Sequence, residues 1–350
     1  MQIRTAIEKL EGHENLSRAE ARAVMEELLS GAVPDPEIIA FLVALRDKGE
    51  QVPELVGFAE VMRGRAVEDL RQAGVDVDAL ARGSPLLDTC GTGGDAQGTF
   101  NVSTATALVA AAAGVRVAKH GNRSVSSRCG SADVLEALGV AIDLPFERLP
   151  ECLEKVGMVF LFAPRLHLAM KHVMNARRAL KTKTVFNLLG PLTNPLRASV
   201  QLLGVYDRAR TEMMARALTA VGTRRAFVVA AQDGIDEISI SGPTQVTETD
   251  GVAVTTREIV PEDFGLPRAP AAALRGGDPE TNARLLRRVL EAEEGPLRDV
   301  VLANAAAALV AAGKAVDFRQ GVAQAAAAID SRAALGKLHA LVTFTRQSPL

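Results

Sequence analysis

The 350-residue sequence has no tryptophan, a single tyrosine (Tyr206) and three cysteines. With so few aromatic side chains, a base-stacking platform for single-stranded nucleic acid would have to come from phenylalanine alone. Cys90, Cys129 and Cys152 are odd in number and lack CxxC spacing. They indicate neither a disulfide framework nor a zinc site, and they fit a reducing cytoplasm. Charge of one sign is also missing: 40 Lys and Arg face 42 Asp and Glu, a formal net charge of −2. No global basic field exists for nucleic acid, so any anion site must be local. The longest apolar stretch, around Ala105 to Val115, is too short to span a bilayer. The N-terminus begins an amphipathic pattern rather than the apolar core of a signal peptide.

What is present is a change of period along the chain. Up to residue 66 only helical patterns occur. Ser17 with Glu20 makes a capping box, and Gly31 can close the helix that follows. Asp35 and Pro36 read as N-cap and first helical residue, with Ile38, Ile39, Leu42, Val43 and Leu45 on one face and Gly49 as the stop. A short helix is predicted after Pro53. Residues 1–66 thus read as a helical domain and residues 67–85, with Gly74 and Gly83-Ser84-Pro85, as a linker or hinge.

From Leu86 the apolar runs Leu86-Leu87, Val115–Ala118, Val140–Leu144, Met158–Phe162, Val200–Tyr206 and Ala226–Ala231 alternate with helical segments. That pattern predicts an α/β domain, residues 86–164 and 183–350, with a mainly parallel central sheet. Residues 245–259, centred on Asp250-Gly251, read as a β-hairpin. Three helices are expected from Asn282 onward, the last two rich in alanine. A helical segment at about 165–182 could pack back on the N-terminal helices and make that domain discontinuous.

Two loops carry the chemistry. Asp88-Thr89-Cys90-Gly91-Thr92-Gly93-Gly94-Asp95 follows a strand, and Phe100-Asn101-Val102-Ser103-Thr104 then opens a helix. A bare GxGG is usually a tight turn. With a hydroxyl-rich helix start attached, it reads as an anion site of exposed N–H groups and a favourable helix dipole. It is neither a Walker A loop nor a dinucleotide fingerprint. The second loop, Lys119 to Asp133, concentrates three cations, serine and asparagine side chains and two glycines, with Ser131 as the expected cap of the next helix. Both loops would lie at the carboxyl ends of parallel strands, where ligands bind.

Together these loops resemble the anthranilate phosphoribosyltransferase family. The GTGGD loop, the N-V-S-T helix start, the KHGNR…GSAD loop, the segment Phe186 to Pro195 (FNLLGPLTNP) and the Asp236-Glu237 pair occur in the family's order. The resemblance implies a small helical domain and a larger α/β domain of the nucleoside phosphorylase/phosphoribosyltransferase type, usually paired as a homodimer through the helical domain. It implies that Gly91, Gly94, Asp95, Thr99, Asn101, Val102, Ser103, Thr104, Lys119 and Ser131 surround phosphoribosyl pyrophosphate. Gly91, Asn122 and Arg177 would meet anthranilate, and Ser103, Asp236 and Glu237 would hold Mg²⁺. The chain departs from the family pattern at Ala96, where glycine is common, and at Leu168 and Asn175, where proline is. The last two adjoin the expected anthranilate entrance. The implied partners are these two small molecules, with no nucleic acid and no membrane.

Displacement at the anomeric carbon of such a substrate passes through an oxocarbenium-like state. The leaving pyrophosphate then needs donors and a cation. Asp236-Glu237 offers the hard oxygen ligands that Mg²⁺ prefers, although an Asp-Glu dipeptide alone is usually a surface pair. No catalytic dyad is required, because a neutral aromatic amine is already nucleophilic. His120 could take a proton or merely hydrogen-bond within its loop. His13 and His339 read as surface residues. His167 and His172 read as one turn apart on a helix, but no HExxH or cysteine accompanies them, so His172 reads as structural and His167 as a lining of the anthranilate route. Arg177 and Arg178 diverge by about 100° on a helix, so one can bind substrate while the other pairs with an acid, and the family position favours Arg177 as the binder. Two other readings compete: a pyrimidine nucleoside phosphorylase, which the intact GTGGD and Asp-Glu pair oppose, and an inactive nucleic-acid-binding relative, which the near-neutral charge opposes.

Overall fold

Helices alone form the start of the chain in the computed structural model, which describes residues 1–93, 98–124 and 128–347. They are α1 (Ile3–Glu11), α2 (Arg18–Leu28), α3 (Asp35–Lys48), α4 (Val52–Gln72) and the short α5 (Val77–Ala81). The capping box at α2 forms as the sequence predicts. The Glu20 N–H donates to Ser17 Oγ at 3.2 Å, and the Ser17 N–H to Glu20 Oε2 at 2.7 Å. The fully buried Glu54 accepts from Lys48 Nζ and from the Leu16 N–H, both at 2.9 Å, pinning the start of α4 to the turn before α2. A buried pair of this kind costs about 3–5 kcal/mol to break from one side, because it strands a charge.

The second part runs β1 (Leu86–Gly91), α6 (Val102–Ala112), β2 (Arg116–Gly121), α7 (Ser131–Ala137), α8 (Leu149–Val156), β3 (Met158–Phe162), α9 (Ala163–Leu166), α10 (Lys171–Leu180), α11 (Val185–Leu189), β4 (Val200–Gly204), α12 (Thr211–Ala220) and β5 (Arg225–Ala231). The hairpin β6 (Thr244–Thr249) and β7 (Val254–Ile259) follows, then α13 (Pro279–Leu290), α14 (Pro296–Ala311), α15 (Phe318–Asp330) and α16 (Ala333–Arg346). The seven strands lie in the order β3-β2-β1-β4-β5-β6-β7, parallel from β3 to β5 and antiparallel in the hairpin. The chain leaves β1 toward β2 on one side and returns to β4 on the other. The carboxyl end of β1 is therefore a topological switch point, where such sheets open a crevice.

Strand alternation divides the core. Along β5, Phe227, Val229 and Ala231 join the cluster under α6, α14 and α16, while Ala226, Val228 and Ala230 join the one that includes α12 and α11. The second cluster continues without a break into α2, α3 and α4, so the N-terminal helices share a core with one face of the sheet. The alanine clusters of α14 and α15 are a close-packed seam: a Cβ placed on Gly321 would come within 2.8 Å of Ala306 Cα.

Several local expectations shift. The helix after Pro53 is long, and α4 runs through residue 67 to Gln72 with α5 close behind, so half of the expected 67–85 linker is helical. Val140–Leu144 is no strand. Val140, Ile142 and Leu144 are buried, but the run bends at Ile142, pairs with none of the seven strands and is ended by Pro145. Pro34 rather than Asp35 caps α3, and Gly130 rather than Ser131 caps α7. Four helices, not three, close the chain. The 165–182 segment is broken between α9 and α10, with α10 lying against α3. His167 falls in that break and His172 inside α10, so they are not one turn apart on a single helix.

Candidate active site

The strand ends meet at a cleft of about 320 Å³. It is lined by Gly91, Thr99, Asn101, Val102, Ser103, Lys119, His120, Asn122, Ser131, Arg177, Asp236 and Glu237, brought together from six stretches of sequence. Thr104 is not among its lining residues. That side chain lies one residue further into α6, fully buried, with its hydroxyl unpartnered. Gly94 and Asp95, together with Ala96, lie outside the described residues.

The loop after β5 reaches the cleft because β1 and β4 end in a facing pair of glycines, Gly91 and Gly204. A Cβ on Gly204 would stand 1.5 Å from the Asp236 carbonyl oxygen, and one on Gly91 would stand 2.5 Å from Asp236 Oδ2. Both strands must be bare here for Asp236 to enter. The Gly93 N–H donates to Asp236 Oδ2 at 3.1 Å, and the Ser103 N–H, in the first turn of α6, donates to Glu237 Oε1 at 3.1 Å. Two main-chain donors that the sequence offers to a phosphate are thus held by the protein's own carboxylates, which the favourable dipole of a helix N-terminus also stabilises.

Lys119 stands at the centre, 1% exposed. Its ammonium donates to the Thr89 carbonyl and, at 3.2 Å, to Ser103 Oγ, while Thr89 Oγ1 donates to the Ser103 carbonyl at 2.9 Å. Burial lowers the Lys119 pKa against the pull of Asp88. Asp88 lies beneath, fully buried, accepting from the His120 N–H at 3.1 Å and from Asn194 Nδ2 at 2.9 Å. Burial pushes its carboxyl up to about 6, opposed by Lys119 and by its hydrogen bonds. The sequence reading missed this layer. Asn194 lies about a hundred residues from Asp88 and was legible only as part of a motif, with no signal for its partner.

The second loop spends one of its two arginines locally. Arg123 pairs with Glu136 and, at 3.1 Å, with Asp133 on α7. Asp133 Oδ2 also accepts the Ser124 and Gly130 N–H groups at 3.0 and 2.8 Å. Asn101 is braced from the far end of the chain: its Oδ1 accepts from Asn282 Nδ2 at 2.9 Å, while the Phe100 N–H donates to the Leu274 carbonyl at 3.0 Å. Asn282 was likewise not anticipated.

At the other end of the cleft, Arg177 is partly buried with its guanidinium 5.0 Å from the Phe186 ring centroid. No carboxylate among the described residues pairs with it, and burial lowers its pKa. Arg178 is exposed. His120 Nδ1 bonds the Gly190 carbonyl at 3.2 Å, and its ring meets His167 at 5.2 Å. The Nε2 atoms of both rings are buried without partners among the described residues. Burial pushes His120 down to about 4 and His167, which also feels His120, to about 3, so both are neutral near pH 7. A neighbouring cavity of about 370 Å³ is lined by His167, Leu168 and His172 among others, and His172 packs against Gly31. Leu168 is 60% exposed there and Asn175 is exposed on α10.

The donor set suits a hard divalent cation: adjacent carboxylates and a hydroxyl, with no thiol or imidazole required. Among the described residues no group of three or more His, Cys, Asp or Glu side chains stands together, so Asp236, Glu237 and Ser103 would share such an ion with its other ligands.

Residues 4–66 match the helical bundle domain of the glycosyl transferase family and residues 83–335 its a/b domain. Anthranilate phosphoribosyltransferase of Moorella thermoacetica is 51% identical over 98% of this chain and 98% of its own. The crystal structure of the Thermus thermophilus enzyme of the same name superposes with a TM-score of 0.88 at 44% identity, covering 98% of this chain and 99% of that one. The Saccharomyces cerevisiae enzyme, solved in complex with PRPP and Mg, gives a TM-score of 0.85 at 27% identity, covering 98% and 97%. On this full-length similarity, and with the fold and cleft described, the chain belongs to the anthranilate phosphoribosyltransferase family.

Proposed function

We propose that the protein transfers the phosphoribosyl group of phosphoribosyl pyrophosphate to the amine of anthranilate, releasing pyrophosphate, as a step of tryptophan biosynthesis. The observation that carries this reading is the cleft's polarity. One end presents a buried lysine, a helix N-terminus and main-chain donors, and the other presents an unpaired arginine beside Phe186.

In this reading the pyrophosphate and 5-phosphate lie among Gly91, Gly94, Asp95, Thr99, Asn101, Val102, Ser103, Lys119 and Ser131, with the buried Thr104 behind them. Lys119 supplies a desolvated positive charge, worth more here than in water because little solvent screens it. An incoming diphosphate competes with Asp236 and Glu237 for the Gly93 and Ser103 N–H groups. Asp236, Glu237 and Ser103 would hold Mg²⁺, which when bound would supply positive charge to offset that of the pyrophosphate. Arg177 takes the anthranilate carboxylate, Phe186 contributes an apolar wall, and Gly91 and Asn122 lie alongside. The amine needs no strong base, and neutral His120 can accept a hydrogen bond at Nε2 from it. Its low pKa makes it a weak proton acceptor, so we assign it to orientation.

We further infer a cytoplasmic homodimer. The buried free thiols of Cys90, Cys129 and Cys152 suit a reducing compartment. The dimer rests on the family resemblance. No helix among the described residues is long and apolar enough to cross a membrane. The test is anthranilate fluorescence in a mixture with phosphoribosyl pyrophosphate and Mg²⁺. Consumption should require all components. Full turnover in excess chelator removes the metal from the reading, and phosphorolysis of thymidine in its place would favour a nucleoside phosphorylase.

A further inference from the structure

A separate cavity of about 480 Å³ lies where α4 faces the end of α12 and the turn at 192–197. Its polar lining is Arg22, Glu60, Arg63, Arg71 and Arg197, none of which belongs to the cleft described above. The charges there do not balance. Glu60 is shared by Arg18 and Arg22, and Asp78 is shared by Arg71 at 2.8 Å and Arg197 at 2.7 Å. Arg63 has no carboxylate within ion-pair distance among the described residues. Its Nε and Nη2 donate to the Leu192 carbonyl and its Nη1 to the Val221 carbonyl at 2.9 Å. A guanidinium carries five N–H donors, so this leaves donors over. Burial, with Arg197 close by, presses Arg63 down to about 10 against the weaker pull of Glu60. Arg197 itself sits at φ 53°, a left-handed conformation that costs a non-glycine residue energy. Four guanidinium groups and one carboxylate, Glu60, thus line one concave surface, and Glu60 and the nearby Asp78 are each divided between two arginines.

We propose that this cavity binds a small, multiply charged oxyanion of the phosphate or pyrophosphate class, held by Arg63, Arg71 and Arg197 with Arg22 at its rim. Planar forks of this kind match tetrahedral oxyanions bidentately. The anion supplies Arg63 with a direct ionic partner, where Glu60 acts on it only from a distance. Arg22, Arg63 and Arg71 come from α2 and α4, while Arg197 and the lining at 220–222 come from the sheet-bearing part, so the occupant ties the two parts together. The same chemistry is offered by the free ion and by the phosphate end of a larger metabolite. This proposal is independent of the activity inferred above, and none of its readouts is turnover of the family reaction.

The test is calorimetric titration at fixed ionic strength, without metal, using inorganic pyrophosphate, inorganic phosphate and ribose 5-phosphate as probes. Wild type, Arg71→Gln/Arg197→Gln, Arg63→Lys and Lys119→Met are compared after circular dichroism has verified folding. Lys119→Met weakens the cleft, and pyrophosphate binding to the remaining site should persist in it. The double substitution should weaken that site at least tenfold. Arg63→Lys, which keeps the charge and loses the fork, should weaken it severalfold and covers the case in which the double variant fails to fold. Stronger binding of ribose 5-phosphate than of phosphate in the Lys119→Met protein would assign the site to a phosphate monoester, and the reverse to the free ion. Loss of all pyrophosphate binding in Lys119→Met, or wild-type stoichiometry and affinity in both arginine variants, overturns the proposal.

Discussion

At one end of the cleft, between the β1 and β2 loops, the groups facing a ligand belong to the strand ends and the first turn of α6, fixed by hydrogen bonds that reach into the sheet. At the other end, Arg177, Phe186 and His120 converge as side chains from α10, α11 and the end of β2, and the two histidine rings keep unpartnered nitrogens. The first end is a scaffold whose geometry the sheet dictates. The second is a set of side chains whose geometry depends on how the N-terminal helices and α10 pack. Charge recognition here thus rests on backbone donors and one lysine locked to the sheet, while recognition of the aromatic acceptor rests on side chains, two of which, Arg177 and Phe186, come from helices outside the sheet.

The largest effect is expected from Lys119→Met, which removes the buried cation and leaves a side chain of similar length. Turnover per phosphoribosyl pyrophosphate, read as kcat/KM, should fall by about 10²–10³, the loss typical of a positioned electrostatic group. The KM for anthranilate should barely move. A parallel rise in both KM values would mean that the two ends are not separable.

Arg177→Ala probes the same contrast from the acceptor end. Loss of a charge-assisted contact from a planar fork should raise the KM for anthranilate about ten- to a hundredfold, or about 1.5–3 kcal/mol. The KM for phosphoribosyl pyrophosphate should stay within a factor of two or so, on the order of the scatter between conservative variants. Lysine should recover only part, lacking the planar fork. A change confined to phosphoribosyl pyrophosphate would move Arg177 to the phosphate end.

Gly204→Ala probes the scaffold itself. Its methyl group would collide with the Asp236 main chain, so the loop after β5 must shift. Overpacking of this kind costs about 1–3 kcal/mol in urea unfolding and should lower activity with it. Gly91→Ala meets only the end of the Asp236 side chain and should cost less. Equal costs for the two would show that the Asp236 backbone is not fixed as described.

The fold was legible because its signals are local. The capping box at Ser17, the Asp250-Gly251 turn and the apolar run of β5 each act within a few residues. The phosphate end was legible for the same reason: glycines and a Ser-Thr helix start stand next to one another. What escaped was long-range. Nothing in the sequence around Asp88 names Asn194 as its partner, and nothing around Asn101 names Asn282. The strand expected at Val140–Leu144 failed although β3 leaves an outer edge: the run bends at Ile142 and sends Val140, Ile142 and Leu144 into the core without pairing its backbone to a strand. Gly204 was read as part of a strand, although its reason for being glycine is a loop that arrives from residue 236.

The smallest expected effect separates the two ends by their titration. His120 and His167 are held at about 4 and about 3 against an ordinary 6.5, so the folded protein keeps them neutral where the unfolded chain protonates them. Stability from each is therefore complete above pH 6.5 and is lost as pH falls toward the folded value, by up to about 1.4 kcal/mol per pH unit per histidine. Asp88 acts in the opposite sense. Held at about 6 against 3.8, it binds its proton in the folded state first, so acidification from about pH 6 toward 4 restores stability and offsets one histidine. Wild type should thus lose stability below pH 6.5 with a slope near one proton once Asp88 titrates. His167→Asn should flatten the curve between pH 6 and 4, because the remaining histidine and Asp88 then cancel. Asp88→Asn should steepen it toward two protons. Urea midpoints collected from pH 7.5 to 4.5 for the three proteins decide the matter. Curves that run parallel would mean that the histidine pair is solvated in the folded protein, and that the acceptor end of the cleft is wetter than its packing indicates.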